Sequence, residues 1–235
     1  MIASNLHSIE LFDILKSIID KDHEKNYLSN VFRGYDLFFT DSGKSSLKLI
    51  LDSYNIRKGD KILMPSYTCE SVIVPIRKLG INALQVDVDS GLVTSGSNFT
   101  RYKDFSDIKA ILVIHMYGST AEIDELYKIS KKYNIPLIED SCQYFTTEFN
   151  SYCETSFFSF NFGKPITAGH GSLIITKNKD ISNNIQKFNL VPDKSFLKSI
   201  KIIIKLFQYH FLSYKLVYKL LYPKIKLRRK FNFNE

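Results

Sequence analysis

The stretch IKAILVIHMYGSTAEIDELYKISKKYNIPLIED, residues 108–140, decides the fold class of this chain of 235 residues. It opens with an apolar, β-branched run over Ile108–Ile114, which is typical of a buried strand. A helical pattern follows over Ile123–Tyr133, and a second strand pattern covers Ile135–Ile138. Continuous apolar strands separated by helices indicate a mostly parallel sheet sandwiched by helices. We therefore predict an α/β fold.

The same alternation continues on both sides of this stretch. In sheets of this kind ligands bind at the carboxyl ends of the strands, so the polar residues that follow strands are the first candidates for a site. We predict further strands at Leu37–Thr40, Lys61–Met64, Ala83–Val88, Thr155–Phe160 and Ser172–Thr176, and helices at 9–19, Leu47–Tyr54 and Thr68–Leu79. The residues that follow strands are Ser42, Gly43, Ser66, Thr68, His115, Asp140 and Gln143.

Composition and charge exclude several classes of protein. Three cysteines without a CxxC spacing predict neither a disulfide framework nor a metal site, as in a reduced cytoplasmic protein. The first 25 residues carry acids within their apolar stretch and predict an amphipathic helix, not a signal peptide. The net charge is +8, but eleven of the 32 Lys and Arg residues lie from Lys194 onward, with one acid, Glu235. The body is close to neutral, so we predict no nucleic-acid binding.

Lys164 stands among apolar and small neighbours in FFSFNFGKPITAGHGS, residues 157–172. Partial burial lowers the pKa of a lysine and leaves a neutral amine that can attack a carbonyl group. The alternative is an ordinary loop lysine between two strands. Taken alone, the stretch supports both interpretations equally.

Other residues add chemistry that one cofactor would use. Asp140 at the sheet's carboxyl edge could pair with a cationic ring nitrogen, although alone it is better read as a helix cap or loop acid. The turn Asp41–Ser46 opens a helix whose backbone N–H groups could bind a phosphate, and the hydroxyl of Ser159 could assist. With Lys164 for a Schiff base, these groups predict a site for pyridoxal phosphate.

Six stretches between residues 40 and 176 resemble, in order, the motifs of the DegT-type sugar aminotransferases, which are fold-type I pyridoxal-phosphate enzymes. The spacing of three residues from Asp140 to Gln143 and of five from Ser159 to Lys164 also fits that family. The stretches are DSGKSSL at 41–47, GDKILMPSYT at 59–68, VDVD at 86–89, HMYG at 115–118, IEDSCQ at 138–143 and the lysine segment at 158–172.

The resemblance implies a role for each site residue. Lys164 would bind the cofactor covalently and then move the proton, and Asp140 would keep the pyridine nitrogen protonated. Gln143 would contact the 3-hydroxyl side of the ring. The phosphate would lie in the turn at Gly43, held by Ser159 and by the backbone of Lys44 and Ser45.

The resemblance also implies an activity, which is transfer of an amino group from glutamate to a nucleotide-linked keto-sugar. Such a reaction belongs to surface polysaccharide or amino-sugar biosynthesis, and the enzyme would be a homodimer. Lys164 argues against the dehydratase branch of the family, which has histidine at this position.

Three departures from the family pattern bear on function. Cys69 stands where an aromatic residue usually stacks on the cofactor ring, and Lys44 replaces a frequent threonine. Lys44 either adds charge to the phosphate site or points to solvent. Nothing after Thr176 resembles the family's small domain. The alternative to an active aminotransferase is therefore a catalytically incomplete relative that keeps the cofactor-domain fold and needs a partner chain.

The C-terminal part has its own pattern. We predict a cofactor-binding large domain at 1–190 and a basic amphipathic helical tail at 195–235, with one helix or a helix pair over Ser195–Tyr222. Its regularly spaced lysines argue against a transmembrane span. The tail either packs on the body or a partner subunit, or lies on an anionic membrane surface. The second alternative would place a cytoplasmic protein at the inner face of the membrane.

Overall fold

The computed structural model describes residues 28–92, 94–102, 104–146, 152–190 and 196–214. The helix predicted at 9–19 and the tail after Tyr214 lie outside these ranges. The chain divides into two compact units, one of Lys25–Pro192 and one that combines Met1–Glu24 with Asp193–Glu235. The predicted domain boundaries, 1–190 and 195–235, stay a prediction.

The larger unit alternates strands and helices as the sequence predicts. Its short helix α3 and its helix α5 were not predicted, because five residues show no helical period and α5 has only two apolar residues, Ile181 and Ile185. The elements are β1 (Asp36–Thr40), α1 (Gly43–Ser53), β2 (Lys61–Pro65), α2 (Glu70–Lys78), β3 (Asn82–Val86), α3 (Gly96–Thr100), β4 (Ile108–Ile114), α4 (Ile123–Tyr133), β5 (Leu137–Asp140), β6 (Thr155–Ser159), β7 (Ser172–Thr176) and α5 (Lys179–Gln186).

The seven strands form one sheet in the order β1-β7-β6-β5-β4-β2-β3. The pairs β2–β3, β2–β4, β4–β5 and β5–β6 are parallel. Strand β7 runs antiparallel to both of its neighbours, β1 and β6. The predicted mostly parallel sheet is therefore confirmed, and the carboxyl ends of β2, β4, β5 and β6 meet at one edge.

Helices cover both faces of the sheet. On β4, Ile111 and Val113 belong to an apolar cluster that contains Leu126 of α4. The alternate residues Leu112 and Ile114 belong to a second cluster that contains residues of α1, α2 and α5. Because successive side chains of a strand point to opposite faces, an uninterrupted apolar run such as β4 requires cover on both sides.

In the smaller unit the structure describes helix α6 (Phe196–Ser213), which agrees with the start of the predicted tail helix. Leu197, Ile204 and Phe211 recur every seven residues and are 70%, 50% and 55% exposed. Among the residues described, no helix combines the length and apolar character that crossing a membrane requires.

A line of buried hydroxyl groups ties the end of α1 to the sheet. Thr176 Oγ1 donates to the carbonyl of Glu154 at 3.1 Å, and Thr155 Oγ1 lies 2.9 Å from Thr176 Oγ1. The hydroxyl of Tyr54 lies 2.9 Å from Thr155 Oγ1 and completes the line. Burial raises the pKa of Tyr54 from 10.0 to about 12, although the hydrogen bond to Thr155 opposes the shift.

This pKa predicts a loss of stability at high pH. The contribution of Tyr54 to the free energy of unfolding is fully present below about pH 10 and is lost as the pH rises toward 12. Between these pH values the unfolded chain releases the tyrosine proton while the folded chain keeps it, which favours unfolding. The free energy of unfolding should fall by about 2–3 kcal/mol more in the native protein than in Tyr54→Phe over this range. Urea unfolding at several pH values measures the difference. Tyr133→Phe, at an exposed tyrosine, is the control, and parallel curves for native protein and Tyr54→Phe would contradict the assignment.

Candidate active site

A cavity of about 300 Å³ lies where the carboxyl ends of the central strands face the N-terminus of α1. Six of the seven predicted site residues line it. Ser45 is not among the lining residues; its backbone N–H donates to Ser42 Oγ at 3.3 Å. The six lining residues are Gly43, Lys44, Asp140, Gln143, Ser159 and Lys164.

The first turn of α1 is built to face an anion. Ser42 is the N-cap, and its side chain accepts the N–H of Ser45. The N–H groups of Gly43 and Lys44 have no acceptor within the helix, because the first turn of any helix leaves its donors unpaired. They add to the positive end of the helix dipole. The predicted phosphate turn therefore has suitable donors at Gly43 and Lys44.

Gly43 lets α1 approach the sheet closely. A Cβ atom at this position would lie 3.2 Å from Cys142 Sγ and 3.5 Å from Ser159 Cβ. The backbone of the first turn therefore packs directly against the residues that follow β5 and end β6. Any side chain at position 43 would push these parts of the cavity wall apart.

Asp140 ends β5 and is buried. Its Oδ1 accepts the backbone N–H of Cys142 at 2.9 Å. Burial raises the pKa of the Asp140 carboxyl group, while the hydrogen bonds from Cys142 and the charge of Lys164 act in the opposite direction. A buried carboxylate in this position favours a positively charged partner.

The neighbouring carboxylate, Glu139, has other partners. His115 Nδ1 accepts the N–H of Ala121 at 2.9 Å, so the ring proton is on Nε2, which faces Glu139 Oε1 at 2.6 Å. The hydroxyl of Ser156 donates to Glu139 Oε2 at 2.6 Å. This buried network fixes the strand end that carries Asp140 and joins it to β4 and β6.

Gln143 joins the cavity wall to the turn after β4. Its Oε1 accepts the N–H of Tyr117 at 3.3 Å, and its Nε2 points to Met116 Sδ at 3.6 Å. The N–H of Gly118 donates to the Gln143 carbonyl at 3.1 Å. Side chain and backbone of Gln143 are thus both held by one turn.

Lys164 lies half-buried in the loop between β6 and β7. Its N–H donates to the carbonyl of Asn161 at 3.2 Å and closes a turn in which Gly163 has φ +79. A φ in this region suits glycine, because other residues are strained there. The loop is also fixed at its base by the bond from Phe160 N to the Gly171 carbonyl, 2.9 Å.

Cys69 and Thr68 line the side of the cavity that follows β2. Partial burial alone raises the pKa of the Cys69 thiol, but hydrogen bonds from the side chain and backbone of Ser71, with the charge of Lys164, outweigh it and lower that pKa. Thr68 Oγ1 is buried without a hydrogen-bond partner among the residues that the structure describes. Tyr67, the aromatic residue nearest to Cys69 in the sequence, is not a lining residue.

Sequence reasoning missed three polar lining residues, Ser71, Asn161 and His170. Asn161 and His170 belong to the quoted lysine segment, and His170 stands in a Gly-His-Gly turn that could have marked it. Ser71 lies in the first turn of α2, where the helical pattern gives no sign of function. The candidates Thr68 and His115, identified from their places after strands, do line the cavity.

The fold is that of pyridoxal-phosphate-dependent aminotransferases, with a lysine-bearing loop beside the cavity at the strand ends. Residues 37–198 match the DegT/DnrJ/EryC1/StrS aminotransferase family. The chain belongs to this family, as its motifs predict.

Solved structures with the same fold include enzymes of different reactions. NtdA from Bacillus subtilis, with bound cofactor PMP, is 20% identical, with a TM-score of 0.71 over 90% of this chain and 55% of that chain. PseC from Helicobacter pylori, an aminotransferase of pseudoaminic acid biosynthesis, is 16% identical, with a TM-score of 0.64 over 77% and 54%. A mutant of GDP-4-keto-6-deoxymannose-3-dehydratase with bound GDP-perosamine is 22% identical, with a TM-score of 0.63 over 72% and 49%.

The chain therefore spans about half the length of the solved structures it matches. At these identities the likeness establishes the fold, and the reaction has to be argued from the residues of the cavity.

The close approach at Gly43 predicts an energetic coupling. Gly43→Ala should be tolerated better in a Cys142→Ala background than in the native protein, because removal of the sulfur vacates the space that the new methyl group needs. We expect a coupling free energy of about 0.5–1 kcal/mol. Urea unfolding of the two single variants and the double variant measures it, and strictly additive effects would contradict the contact. Ser97→Ala, at an exposed residue of α3, serves as the additive control.

Proposed function

We propose that this chain binds pyridoxal phosphate in the cavity and transfers an amino group to the keto group of a nucleotide-linked sugar, with glutamate as the amino donor. One observation carries the proposal: six of the predicted residues, from three separate stretches of the sequence, line a single cavity. Membership of an aminotransferase family supports the reaction type.

The residues present fit the cofactor. The unpaired N–H groups at the start of α1 suit a phosphate, and the absence of a Cβ at Gly43 leaves that turn close to Ser159. The buried Asp140 carboxyl group, whose pKa burial raises, suits a ring nitrogen that brings a positive charge. The unpartnered hydroxyl of Thr68 offers one more polar group.

Bound pyridoxal phosphate supplies an electron sink for the charge left on carbon when a proton departs. The backbone at Gly43 and Lys44, with the Ser159 hydroxyl, would bind the phosphate. Asp140 would hold a proton on the ring nitrogen, and Gln143 would contact the 3-hydroxyl side of the ring. The Lys164 amine would hold the cofactor at its aldehyde carbon, with loss of water, and would serve as the base that moves a proton between two carbon atoms.

Lys164 also favours one reaction within the family. Amino transfer requires a base that can both give and take a proton at carbon, and Lys164 supplies an amine in the same cavity that Asp140 lines. The dehydratase branch has histidine at the corresponding position, as the resemblance implies. We therefore propose an aminotransferase, in surface polysaccharide or amino-sugar biosynthesis.

The cavity needs further cover to hold a sugar. Three of its lining residues, Lys44, Cys69 and His170, are exposed, so its mouth faces solvent. A second copy of the chain would close it, and we propose a homodimer in the cytoplasm. The alternative is a catalytically incomplete relative that binds the cofactor and relies on a partner chain for turnover.

Cofactor binding provides the direct test. Incubation of the purified chain with pyridoxal phosphate should produce an absorbance band of the protein-bound cofactor, and Lys164→Ala should abolish it. Lys61→Ala, at an exposed lysine paired with Asp107, should leave the band unchanged.

Asp140→Asn should weaken cofactor binding by about tenfold or more, because the positively charged ring nitrogen loses its counter-charge. Absence of the band from the native protein would refute cofactor binding and the enzyme together.

Addition of glutamate separates the two versions of the proposal. Loss of the band, with formation of 2-oxoglutarate, supports an aminotransferase that is complete for the donor reaction. A stable band without 2-oxoglutarate supports the incomplete relative.

A specific observation favours a second role for α6. Its stripe of Leu197, Ile204 and Phe211 is exposed, and Lys201 and Lys205 beside it are exposed as well. Eleven Lys and Arg against one acid from Lys194 onward would attract anionic lipid. We propose that this face lies on the surface of an anionic membrane at its cytoplasmic side.

Flotation with liposomes tests this role. The full chain should float with phosphatidylserine-containing vesicles and not with neutral vesicles, and 0.5 M salt should release it because screening weakens surface attraction. Ile204→Glu should reduce binding, since it places a negative charge within the apolar stripe. Lys128→Gln lowers the net charge by the same one unit, at an exposed residue of α4, and is the control. Equal flotation of native protein and Ile204→Glu would overturn the proposal.

A further inference from the structure

Two tyrosines form a pair beside the cavity. Tyr67 follows β2 and Tyr117 follows β4, and these strands are neighbours in the sheet. Their hydroxyl oxygens lie 3.1 Å apart, and their ring centroids 6.4 Å apart at an angle of 48°. Their chain neighbours Thr68 and Met116 line the cavity. The tyrosine pair therefore stands at the cavity rim.

The pair is presented to solvent. The side chain of Tyr117 is 67% exposed and that of Tyr67 is 37% exposed. Two aromatic rings held together by their hydroxyl groups keep their faces available, while each hydroxyl can still bond to a further polar group. Such a surface combines apolar area with hydrogen bonding, which suits a carbohydrate ring with its C–H face and hydroxyl groups.

Tyr117 is held at the rim in a strained conformation. Its φ is +53, in the left-handed region that bulky side chains avoid. The turn is maintained by the bond from its N–H to Gln143 Oε1 and by the bond from Gly118 N to the Gln143 carbonyl. The residue that fixes Tyr117 thus belongs to the wall of the cavity itself.

With the proposed cofactor in the cavity, the sugar would have to bind outside it. The predicted ligands of ring and phosphate line its 300 Å³, so a substrate ring that reaches Lys164 has to lie over the mouth. The position after Thr68, where the family pattern has an aromatic, is Cys69 in this chain. The tyrosine pair supplies exposed aromatic area next to this position.

We propose that Tyr67 and Tyr117 form the docking surface for the sugar ring of the nucleotide-linked substrate, with Tyr117 as the main contact. The inference rests on the proposed function and identifies residues that determine specificity for the acceptor. Glutamate is a small dicarboxylate without a ring that could stack on an aromatic face, so the pair should affect binding of the sugar and not of the amino donor.

Tyr117→Gly removes the ring and the strain together. Because glycine adopts a positive φ freely, the midpoint of thermal unfolding should not fall, and the cofactor band should persist. Leu92→Gly is the control for strain relief, since Leu92 has φ +60, is 42% exposed and does not line the cavity. Tyr152→Ala is the control for loss of an exposed tyrosine, because Tyr152 contacts Tyr127 in a second pair.

Calorimetric titration with nucleotide-linked amino-sugars measures docking. The probes are GDP-perosamine and UDP- and TDP-linked 4-amino-6-deoxyhexoses, each compared with its free nucleoside diphosphate. For at least one probe, the nucleotide-linked sugar should bind more tightly than the free nucleoside diphosphate, both in the native protein and in the two control variants. Tyr117→Gly should reduce this gain in affinity by about tenfold, because a stacked aromatic contact is lost. Tyr117→Phe, which loses only the hydroxyl contact, should reduce it less.

Two results would overturn the inference: a sugar-dependent gain that persists in Tyr117→Gly, or no gain with any probe in the native protein. A fall in thermal midpoint for Tyr117→Gly, but not for Leu92→Gly, would assign Tyr117 to the fold instead. The proposed function fails by a separate sign, absence of the cofactor band, so the two failures are distinguishable.

Discussion

The hydroxyl groups of Thr40, Ser46 and Ser172 hold the start of α1 against the sheet through hydrogen bonds, and the site depends on these contacts. The hydroxyl of Ser172 on β7 donates to the carbonyl of Phe158 on β6. Ser46 of α1 lies 2.7 Å from Ser172 and 2.7 Å from Thr40 of β1. Each hydroxyl is satisfied without water, which a buried polar group requires. These contacts therefore fix the start of α1 over the junction of three strands, where the proposed phosphate site lies.

The strand–helix alternation was predictable because burial on both faces leaves long apolar runs such as Ile108–Ile114. The candidate residues were predictable because parallel strands end at one edge, which brings Asp140 and Ser159 together whatever the length of the loops between them. The helix α5 was missed because Ile181 and Ile185 alone carry its buried face, and two apolar residues in eight give no period.

Other properties of the site arise only from packing. Gly43 and Cys142 are distant in sequence, and their close approach depends on how deeply α1 packs. The strained backbone of Tyr117 depends on the hydrogen bond that its N–H donates to Gln143, a residue that follows another strand, and no local pattern encodes this contact. Ser45 belongs to the predicted phosphate turn, but its backbone N–H donates to the side chain of the N-cap residue Ser42. In the first turn of the helix, only the N–H groups before Ser45 therefore remain for a ligand.

Strand β5 shows how one chain segment serves two purposes. Glu139 and Asp140 are consecutive, and the alternation of side chains sends them to opposite faces of the sheet. Glu139 is satisfied by His115 and Ser156, so it stabilises the strand ends and takes no part in the cavity. Asp140 keeps a backbone N–H as a partner and faces the cavity with its pKa raised by burial. Two acids of the same strand thus differ in their surroundings, which is the reason that we propose Asp140, and not Glu139, as the partner of a cationic ring.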